Sequence, residues 1–120
     1  DCALNTLTHI GALGLDVCMV SPAATSELAK LLSTSYYGLC IAWHGEMKQI
    51  CDSAGVDFGL AVTEWTNTYN DGYTKLGMGN VRRPVLTPPE KIGGHCVIPN
   101  AEILKTQFGS DCLDLILKWK

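Results

Sequence analysis

One stretch of the sequence, residues 23–54, has the pattern of a single long helix. Apolar residues recur every three or four positions, so their side chains line one helix face. Pro22 and the cap-type residues Thr25 and Ser26 mark its start, and Gly55 ends it because glycine adopts the left-handed backbone of a helix C-terminus without strain. An unbroken helix here would be about 48 Å long, so the rest of a small domain must pack along it. The apolar positions are Leu28, Leu32, Tyr36, Leu39, Trp43, Met47, Ile50 and Ala54.

Three small residues, Gly38, Ala42 and Gly45, lie on one side of this helix near its middle. Each interior glycine costs about 1 kcal/mol of helix stability relative to alanine. Close approach of another helix compensates for that cost, because side-chain size sets the distance between packed helices. The small residues therefore predict a second helix at this point, from this chain or from a second copy. Glycines that are merely tolerated remain the alternative.

Composition narrows the class of protein. The 120 residues suffice for one domain with one core, and a net charge of −3 without a basic run argues against a nucleic-acid partner. No uninterrupted apolar run is long enough to span a membrane. The six cysteines include no CxxC pair, and Cys40 and Cys51 would lie about 16 Å apart on the long helix, too far for a disulfide. We expect a reduced, cytoplasmic protein.

The segment before the long helix predicts a short helix–strand arm. Residues 1–14 have a weak helical pattern, and residues 15–20 have the composition of a short buried strand. A single strand cannot satisfy its own backbone hydrogen bonds, and the sequence offers no convincing second strand. We therefore expect that a partner, or sequence outside this chain, pairs with it.

The segment after the long helix predicts further helices around a long loop. A second helix is expected over about residues 58–69, capped by Asp57, and a loop over residues 70–94. Asn100 is then expected to cap one helix and Ser110 a last short one. The predicted core residues of these two helices are Ile103, Leu104 and Phe108, then Leu113, Ile116 and Leu117.

The loop ends in residues 92–96, Ile-Gly-Gly-His-Cys, which hold the strongest candidates for chemistry. Two glycines before a cysteine allow the backbone to approach a ligand closely. Cys96 precedes the expected cap Asn100, so it lies near the positive end of a helix, which favours a thiolate. So short a string is also found in purely structural roles.

Two stretches of the chain resemble one enzyme family, the UDP-glucose/GDP-mannose dehydrogenases, which include the UDP-N-acetylmannosamine dehydrogenases. Residues 26–32, Ser-Glu-Leu-Ala-Lys-Leu-Leu, resemble the start of the family's central helix, which pairs two subunits; Tyr36, Ala42, Glu46 and the Gly-Val-Asp of residues 55–57 continue the likeness. Residues 86–88, Leu-Thr-Pro, and residues 92–96 resemble the segment that presents the family's nucleophilic cysteine. The resemblance covers about residues 15–108.

The resemblance implies a fold: a long central helix in an orthogonal helical bundle, like the C-terminal domain of 6-phosphogluconate dehydrogenase. Residues 1–22 would be the remnant of the last helix–strand unit of a dinucleotide-binding domain. Residues 23–120 would be the central helical domain, which pairs into a homodimer through the long helix and contributes to the sugar site.

The resemblance also implies an activity, the NAD-dependent oxidation of the C6 alcohol of a nucleotide sugar to a carboxylate. NAD would be bound by a domain absent from this chain, because the glycines of residues 11–14 neither follow a strand nor fit GxGxxG. We therefore expect this chain to be inactive by itself.

Position by position, the resemblance assigns catalytic roles to Cys96 and Lys30. The Cys96 thiolate would add to the C6 aldehyde, and the Lys30 ammonium would stabilise the oxyanion and help to keep the thiol ionised. Arg82 and Arg83 could hold a phosphate, although solvated loop charges are the alternative for them. The residues expected to bind the nucleotide sugar are Gly93, Gly94, His95, Arg82 and Arg83.

Two of the candidate catalytic positions depart from the family pattern. Thr34 stands where the family has an asparagine, and Asn100 where it has an aspartate; those residues position the water that hydrolyses the thioester and manage its proton. An amide cannot act as a carboxylate base. Two hypotheses therefore remain, a partial or diverged nucleotide-sugar dehydrogenase and a non-catalytic dimerisation or scaffold domain. A third, a metal site at His95 and Cys96, lacks further ligands.

Overall fold

The computed structural model describes residues 2–120, which form a mostly α-helical protein, as predicted. The described residues contain no strand. A π-helical turn at Gly59–Glu64 leads directly into the third α-helix, and a 3-10 turn at Gly79–Val81 follows that helix. The helices are α1 (Cys2–Gly11), α2 (Ala23–Ala54), α3 (Trp65–Lys75), α4 (Val97–Gln107) and α5 (Asp111–Lys118).

The chain divides into two compact units, of which the first ends at Leu32 and the second spans Ser33–Lys120. In the first unit, α1 has no buried residue, and residues 15–20 are exposed and outside regular structure. The predicted buried strand at residues 15–20 is therefore wrong. The prediction fails because a strand must bond its backbone to a neighbouring strand, and residues 2–120 contain no strand that could pair with residues 15–20. The division at residues 22 and 23 into two domains stays a prediction.

The long helix has the predicted bounds. It begins at Ala23 and ends at Ala54, and Gly55 has a φ of +67°. The start differs in one detail: Thr25 and Ser26 lie inside the first turn rather than before it, and the Ser26 hydroxyl donates to the carbonyl oxygen of Ala23 at 2.9 Å. Local sequence signals were therefore sufficient to predict where α2 begins and ends, but not to predict the hydrogen bonds at its N-terminus.

The small residues of α2 lie where other helices approach it in the second unit. A Cβ atom built on Gly38 would collide with Val97 Cγ1 of α4 and lie 3.5 Å from Ile116 of α5. One built on Gly45 would lie 2.5 Å from the ring of Trp119, just after α5. The predicted close approach is confirmed, and the approaching helices belong to the same chain.

The buried face of α2 is not its apolar stripe. Tyr36, Trp43 and Ile50 are 66%, 49% and 58% exposed, because α4 and α5 pack on the side that carries the glycines. The stripe is therefore uncovered within the second unit. The buried residues of α2 are Ser35, Gly38, Ala42, His44, Gly45 and Cys51.

The helix after α2 is longer than predicted. Asp57 caps its start as expected, since the Oδ1 atom accepts from the Leu60 amide at 2.8 Å. The helix then continues to Lys75, beyond residue 69, and the loop is correspondingly shorter. Stacking of Tyr69 on Tyr73, with ring centroids 4.6 Å apart, supports the added turn.

The C-terminal helices pack on each other and supply most of the core. Contrary to the prediction for Asn100, α4 begins at Val97, because Pro99 fits the first helical turn, where its missing amide costs nothing. Helix α5 begins after Ser110 as predicted, without a hydrogen bond from the serine side chain. Ile103 and Phe108 are about half exposed, so their assignment to the core was wrong. The buried apolar residues are Ala42, Cys51, Phe58, Ile92, Val97, Ile98, Ala101, Leu104, Leu113 and Ile116.

Candidate functional site

The Gly-Gly-His-Cys loop leads directly into helix α4. Cys96 is the N-cap residue of α4, and its carbonyl oxygen accepts from the Asn100 amide at 3.1 Å. Gly94 has a φ of +90°, a backbone conformation that side chains other than glycine rarely adopt. The side chains of His95 and Cys96 are exposed. The structure thus brings Cys96 and Asn100 together at the start of one helix, with the thiol accessible.

The loop is anchored at its start by the C-terminal end of the chain. Ile92 is 5% exposed, and its amide donates to the carbonyl oxygen of Trp119 at 2.6 Å. The Trp119 ring packs over Gly45, and its Nε1 donates to Glu46 Oε1 at 2.9 Å. The backbone that leads to Cys96 is therefore tied to α2 through Trp119.

Glu46 is the acceptor that holds this anchor to α2. Its Oε1 atom also accepts from Lys118 Nζ at 2.7 Å. The hydrogen bond from Lys118, and then the one from Trp119, hold the pKa of the Glu46 carboxyl below its ordinary value. Sequence reasoning predicts for Trp119 only a general role in the core or an interface, and it did not predict the contacts with Gly45 and Glu46.

Thr34 lies on the side of α2 that faces α4, whereas Lys30 belongs to the other unit. Thr34 is half-buried and precedes Gly38 by one helical turn, so it lies on the helix face that meets Val97. Lys30 is exposed, one further turn toward the N-terminus, in the unit that ends at Leu32. The predicted meeting of Lys30 with Cys96 stays a prediction.

Another side chain that sequence reasoning missed is Ser35. It is 6% exposed, and its hydroxyl is buried with no hydrogen-bond partner in the described part of the chain. Its position three residues before Gly38 puts it on the same general side of α2. A buried hydroxyl without a partner is energetically costly.

The two predicted phosphate-binding arginines have different surroundings. Arg83 is held by Asn70, whose Oδ1 accepts from the Arg83 amide and whose Nδ2 donates to the Arg83 carbonyl, both at 2.8 Å. Its guanidinium lies 3.6 Å from the centre of the Tyr69 ring. Arg82 is exposed. Asn70 was missed because nothing in a helical pattern signals that a helix-interior asparagine bonds to a segment 13 residues away.

Tyr69, beneath the Arg83 guanidinium, has a perturbed hydroxyl. Its hydrogen bond with Tyr73, followed by partial burial, raises the Tyr69 pKa, while the positive charge of Arg83 opposes that rise. Tyr69 therefore stays a neutral phenol, with its ring available as the surface on which the guanidinium stacks.

Over residues 2–120, no helix combines the length and apolarity needed to cross a bilayer. Nor do the described residues contain a group of three or more His, Cys, Asp or Glu side chains placed to hold a metal ion.

The fold and the loop together define a helical domain, built along one long helix, that presents an exposed cysteine at a helix N-terminus. Over 80 residues the chain is 28% identical to the UDP-N-acetyl-D-mannosamine dehydrogenase of Yersinia pestis and 31% identical to the NDP-N-acetyl-D-galactosaminuronic acid dehydrogenase of Ralstonia solanacearum. Over 78 residues it is 28% identical to the UDP-N-acetyl-D-mannosamine dehydrogenase of Methanococcus maripaludis. These matches confirm the predicted resemblance: the chain is related to the nucleotide-sugar dehydrogenases.

The aligned region makes up most of this chain but only a small part of each relative. It spans 67%, 67% and 65% of this chain, but only 16% of the length of each of these relatives. No protein-family model matches the chain, and no solved structure matches it.

Proposed function

We propose that residues 23–120 are the central domain of a nucleotide-sugar dehydrogenase and that Cys96 is its nucleophile. The observation that carries this proposal is the position of Cys96, exposed at the N-terminus of α4 on a glycine loop anchored by Trp119. The names of the relatives suggest the substrate class, a nucleoside diphosphate carrying an N-acetylated sugar. The division at residues 22 and 23 belongs to the same proposal.

In the proposed reaction, the Cys96 thiolate attacks an aldehyde at C6 of the sugar. A bond forms between sulfur and carbon, and the carbonyl electron pair moves to oxygen. The free amides in the first turn of α4 and the Lys30 ammonium are the groups that would stabilise this oxyanion. Gly93, Gly94 and His95 would line the sugar. Arg82 and Arg83, which are both exposed, would be the cations available to a phosphate.

The later hydrolysis of a thioester is where this chain departs from its relatives' pattern. The Thr34 hydroxyl and the Asn100 amide can each hydrogen-bond a water molecule, but neither can take its proton as a carboxylate does. We therefore propose that the chain supports attack by Cys96 better than it supports hydrolysis.

The residues of this chain do not fit NAD. A dinucleotide fingerprint needs a glycine-rich turn between a strand and a helix. Here Gly11 ends a helix, Gly14 lies in an exposed turn with a φ of +76°, and residues 2–120 contain no strand. We assign no hydride-transfer step to this chain, and NAD belongs to the proposal only through the relatives.

Alkylation of the cysteines tests the role of Cys96. All six are free thiols, which fits the proposed reducing, cytoplasmic compartment. Cys112 is a matched control because it too is exposed, near the start of α5, but beside Asp111 and Asp114. Iodoacetamide near neutral pH, followed by peptide mass spectrometry, should modify Cys96 about tenfold faster than Cys112, since both lie at a helix start and carboxylates flank only Cys112.

The contribution of Lys30 is tested in the same assay. Lys30→Ala should slow the alkylation of Cys96 several-fold by removing a stabilising charge, while Lys75→Ala, at the end of α3, should leave it unchanged. Equal labelling of Cys96 and Cys112 in the chain without substitutions would refute the proposed role of Cys96 as the nucleophile. An unchanged rate in Lys30→Ala would refute only the part assigned to Lys30.

We also propose that the chain is a homodimer joined through the apolar stripe of α2. The stripe supports this proposal, because Tyr36, Trp43 and Ile50 are about half exposed or more and would be buried by a second copy. Ile50→Glu should shift the association equilibrium toward monomer in sedimentation equilibrium, since it places a charge in the interface. Gln49→Glu, an equal charge change at an exposed neighbour, is the control. A chain that is monomeric at all concentrations would refute the dimer.

Thr34 and Asn100 favour a second candidate, a dimerisation or scaffold domain without catalysis. Both candidates predict a homodimer, but only the dehydrogenase domain predicts a reactive thiol at Cys96. A scaffold predicts self-association together with equal labelling of Cys96 and Cys112, so the two experiments distinguish the candidates.

A further inference from the structure

The exposed segment that carries Cys96 lies between two buried residues. Residues 93–96 are exposed, whereas Ile92 before them and Val97 after them are 5% and 9% exposed. Two of the four exposed residues are glycines, and Gly94 has a φ of +90°, so the segment has little conformational preference of its own. Its shape, and with it the position of the Cys96 thiol, is therefore decided by the contacts that hold its two ends.

Each end of this segment is held by a contact that leads to α2. Val97, at the end that enters α4, packs against Gly38. Ile92, at the other end, donates its amide to the carbonyl oxygen of Trp119 at 2.6 Å. Because Ile92 is buried, its amide would be left unpaired if that acceptor moved away, which is energetically costly. The Trp119 carbonyl therefore fixes the point at which the exposed segment begins.

Glu46 orients Trp119 on α2. Gly45 admits the indole ring, but a glycine has no side chain with which to set the direction of that ring. The neighbouring Glu46 Oε1 accepts from Trp119 Nε1 at 2.9 Å and from Lys118 Nζ at 2.7 Å. The hydrogen bond from Lys118, followed by that from Trp119, lowers the pKa of this carboxyl, so it is ionised at neutral pH. One carboxylate oxygen thus fixes two consecutive residues, including the one whose carbonyl holds Ile92.

We propose that Glu46 and Trp119 are positioning residues for the Cys96 thiol. They act through the backbone: Glu46 fixes the indole, and the Trp119 carbonyl fixes the Ile92 amide. The short exposed segment then places Cys96 at the start of α4, where the free amides of the first turn favour the thiolate. This inference rests on the proposed role of Cys96 as the nucleophile. It adds that the reactivity of the thiol depends on a carboxylate of the long helix that acts only through the loop.

The substitution Trp119→Phe tests the indole hydrogen bond in the whole chain. It keeps an aromatic ring for the space over Gly45 and keeps the backbone carbonyl, but it removes the N–H that Glu46 holds. The ratio of the iodoacetamide rates of Cys96 and Cys112 should fall about threefold or more, because a thiol held less firmly at a helix start gains less from its amides. In hydrogen-exchange NMR, the amide of residue 92 should exchange at least about tenfold faster.

Two variants of Glu46 separate the hydrogen bond from a loss of packing. Glu46→Gln keeps an oxygen that can accept from the indole, so it should change the alkylation ratio by less than about twofold. Glu46→Met has no such acceptor and should lower the ratio as Trp119→Phe does, so it tests the same contact even if Trp119→Phe folds poorly. Lys120→Met is the matched control, because it removes an exposed ion pair of the same segment, to Glu102 at 2.6 Å, that does not involve Ile92. It should leave the ratio and the exchange rate unchanged.

The pH dependence of alkylation distinguishes positioning from a change in exposure of the thiol. At alkaline pH, where every thiol is ionised, Cys96 should react equally fast in Trp119→Phe and in the chain without substitutions, and the difference should grow as the pH falls. A loss of rate that is the same at every pH would mean that access to the sulfur has changed, and it would overturn the proposal.

Two further results would also overturn it. If the exchange rate of the Ile92 amide rises in Trp119→Phe while the alkylation ratio stays the same, the contact is only structural. If the Ile92 exchange rate does not change, the contact does not hold the loop. Equal labelling of Cys96 and Cys112 before any substitution would refute the proposed nucleophile instead. The change in their ratio on substitution is a separate measurement, and it decides the positioning roles of Glu46 and Trp119.

Discussion

Substitution of Gly45 by alanine tests how the C-terminus is joined to α2. In an unhindered helix the change should stabilise the protein by about 1 kcal/mol, because alanine has the better helix propensity. At Gly45 the added Cβ would lie 2.5 Å from Cη2 and Cζ2 of Trp119 and 2.8 Å from Cε2. Real Cβ atoms do not come so close to a ring, so the indole must move.

The cost of moving Trp119 exceeds the gain in helix propensity. Overpacking of this kind costs about 1–3 kcal/mol. The displaced residue would also strain the 2.6 Å hydrogen bond from the buried Ile92 amide, and a buried amide left without an acceptor costs about 1–3 kcal/mol. Gly45→Ala should therefore lower the free energy of unfolding by about 1–5 kcal/mol net, measured by urea denaturation of the whole chain.

Gly72 offers a matched control for this measurement. It lies inside α3, has no atom within 4 Å of a built Cβ, and is exposed. Gly72→Ala should raise the free energy of unfolding by up to about 1 kcal/mol. The two alanine substitutions are thus expected to have opposite signs. If Gly45→Ala stabilises the chain as much as Gly72→Ala does, the packing of Trp119 over α2 is wrong.

Three further predictions concern the other contacts of the second unit. Gly38→Ala should destabilise the chain by about 1–3 kcal/mol in the same denaturation assay, because the new Cβ collides with Val97; a gain in stability would contradict the packing of α4. Asn70→Ala should cost about 1–3 kcal/mol by removing the partners of the Arg83 backbone, while Asn67→Ala, exposed on the same helix, should stay within about 0.5 kcal/mol. Because the Glu46 pKa is lowered in the folded state, its contribution to stability is present above the ordinary glutamate pKa and is lost as the pH falls through the lowered value; Glu46→Gln should remove this part of the acid dependence of Tm, and an identical pH profile would refute it.

The sequence was most informative where the structure is decided locally. Residues 23–54 are one helix because each end has its own signal, with Pro22 before the start and Gly55 at the left-handed end. The glycines at positions 38 and 45 also indicated where helices approach, because their cost in a helix needs compensation. They could not indicate the partner, since the contact from Gly45 to Trp119 spans 74 positions and depends on the whole fold.

The errors come from contacts that no local pattern contains. The strand predicted at residues 15–20 had the right composition, but a strand exists only with a partner, and the rest of the described chain supplies none. Asn100 was predicted to cap a helix, whereas α4 begins at Val97 and includes Asn100. That shift makes Cys96 the N-cap residue itself, which is closer to the helix amides than the sequence predicted.

The surface of α2 explains why hydrophobicity alone misidentified its buried side. Gly38, Ala42 and Gly45 contribute little apolar area themselves, yet they are buried because they admit Val97, Ile116 and the Trp119 ring. The bulkier residues of the stripe cannot be approached as closely by a helix of this chain, and so they remain outside. A helix with a small-residue face buried in its own unit and a large apolar face exposed has the pattern of an interaction surface. The proposed dimer places a second copy on Tyr36, Trp43 and Ile50, and sedimentation equilibrium of Ile50→Glu against Gln49→Glu tests it.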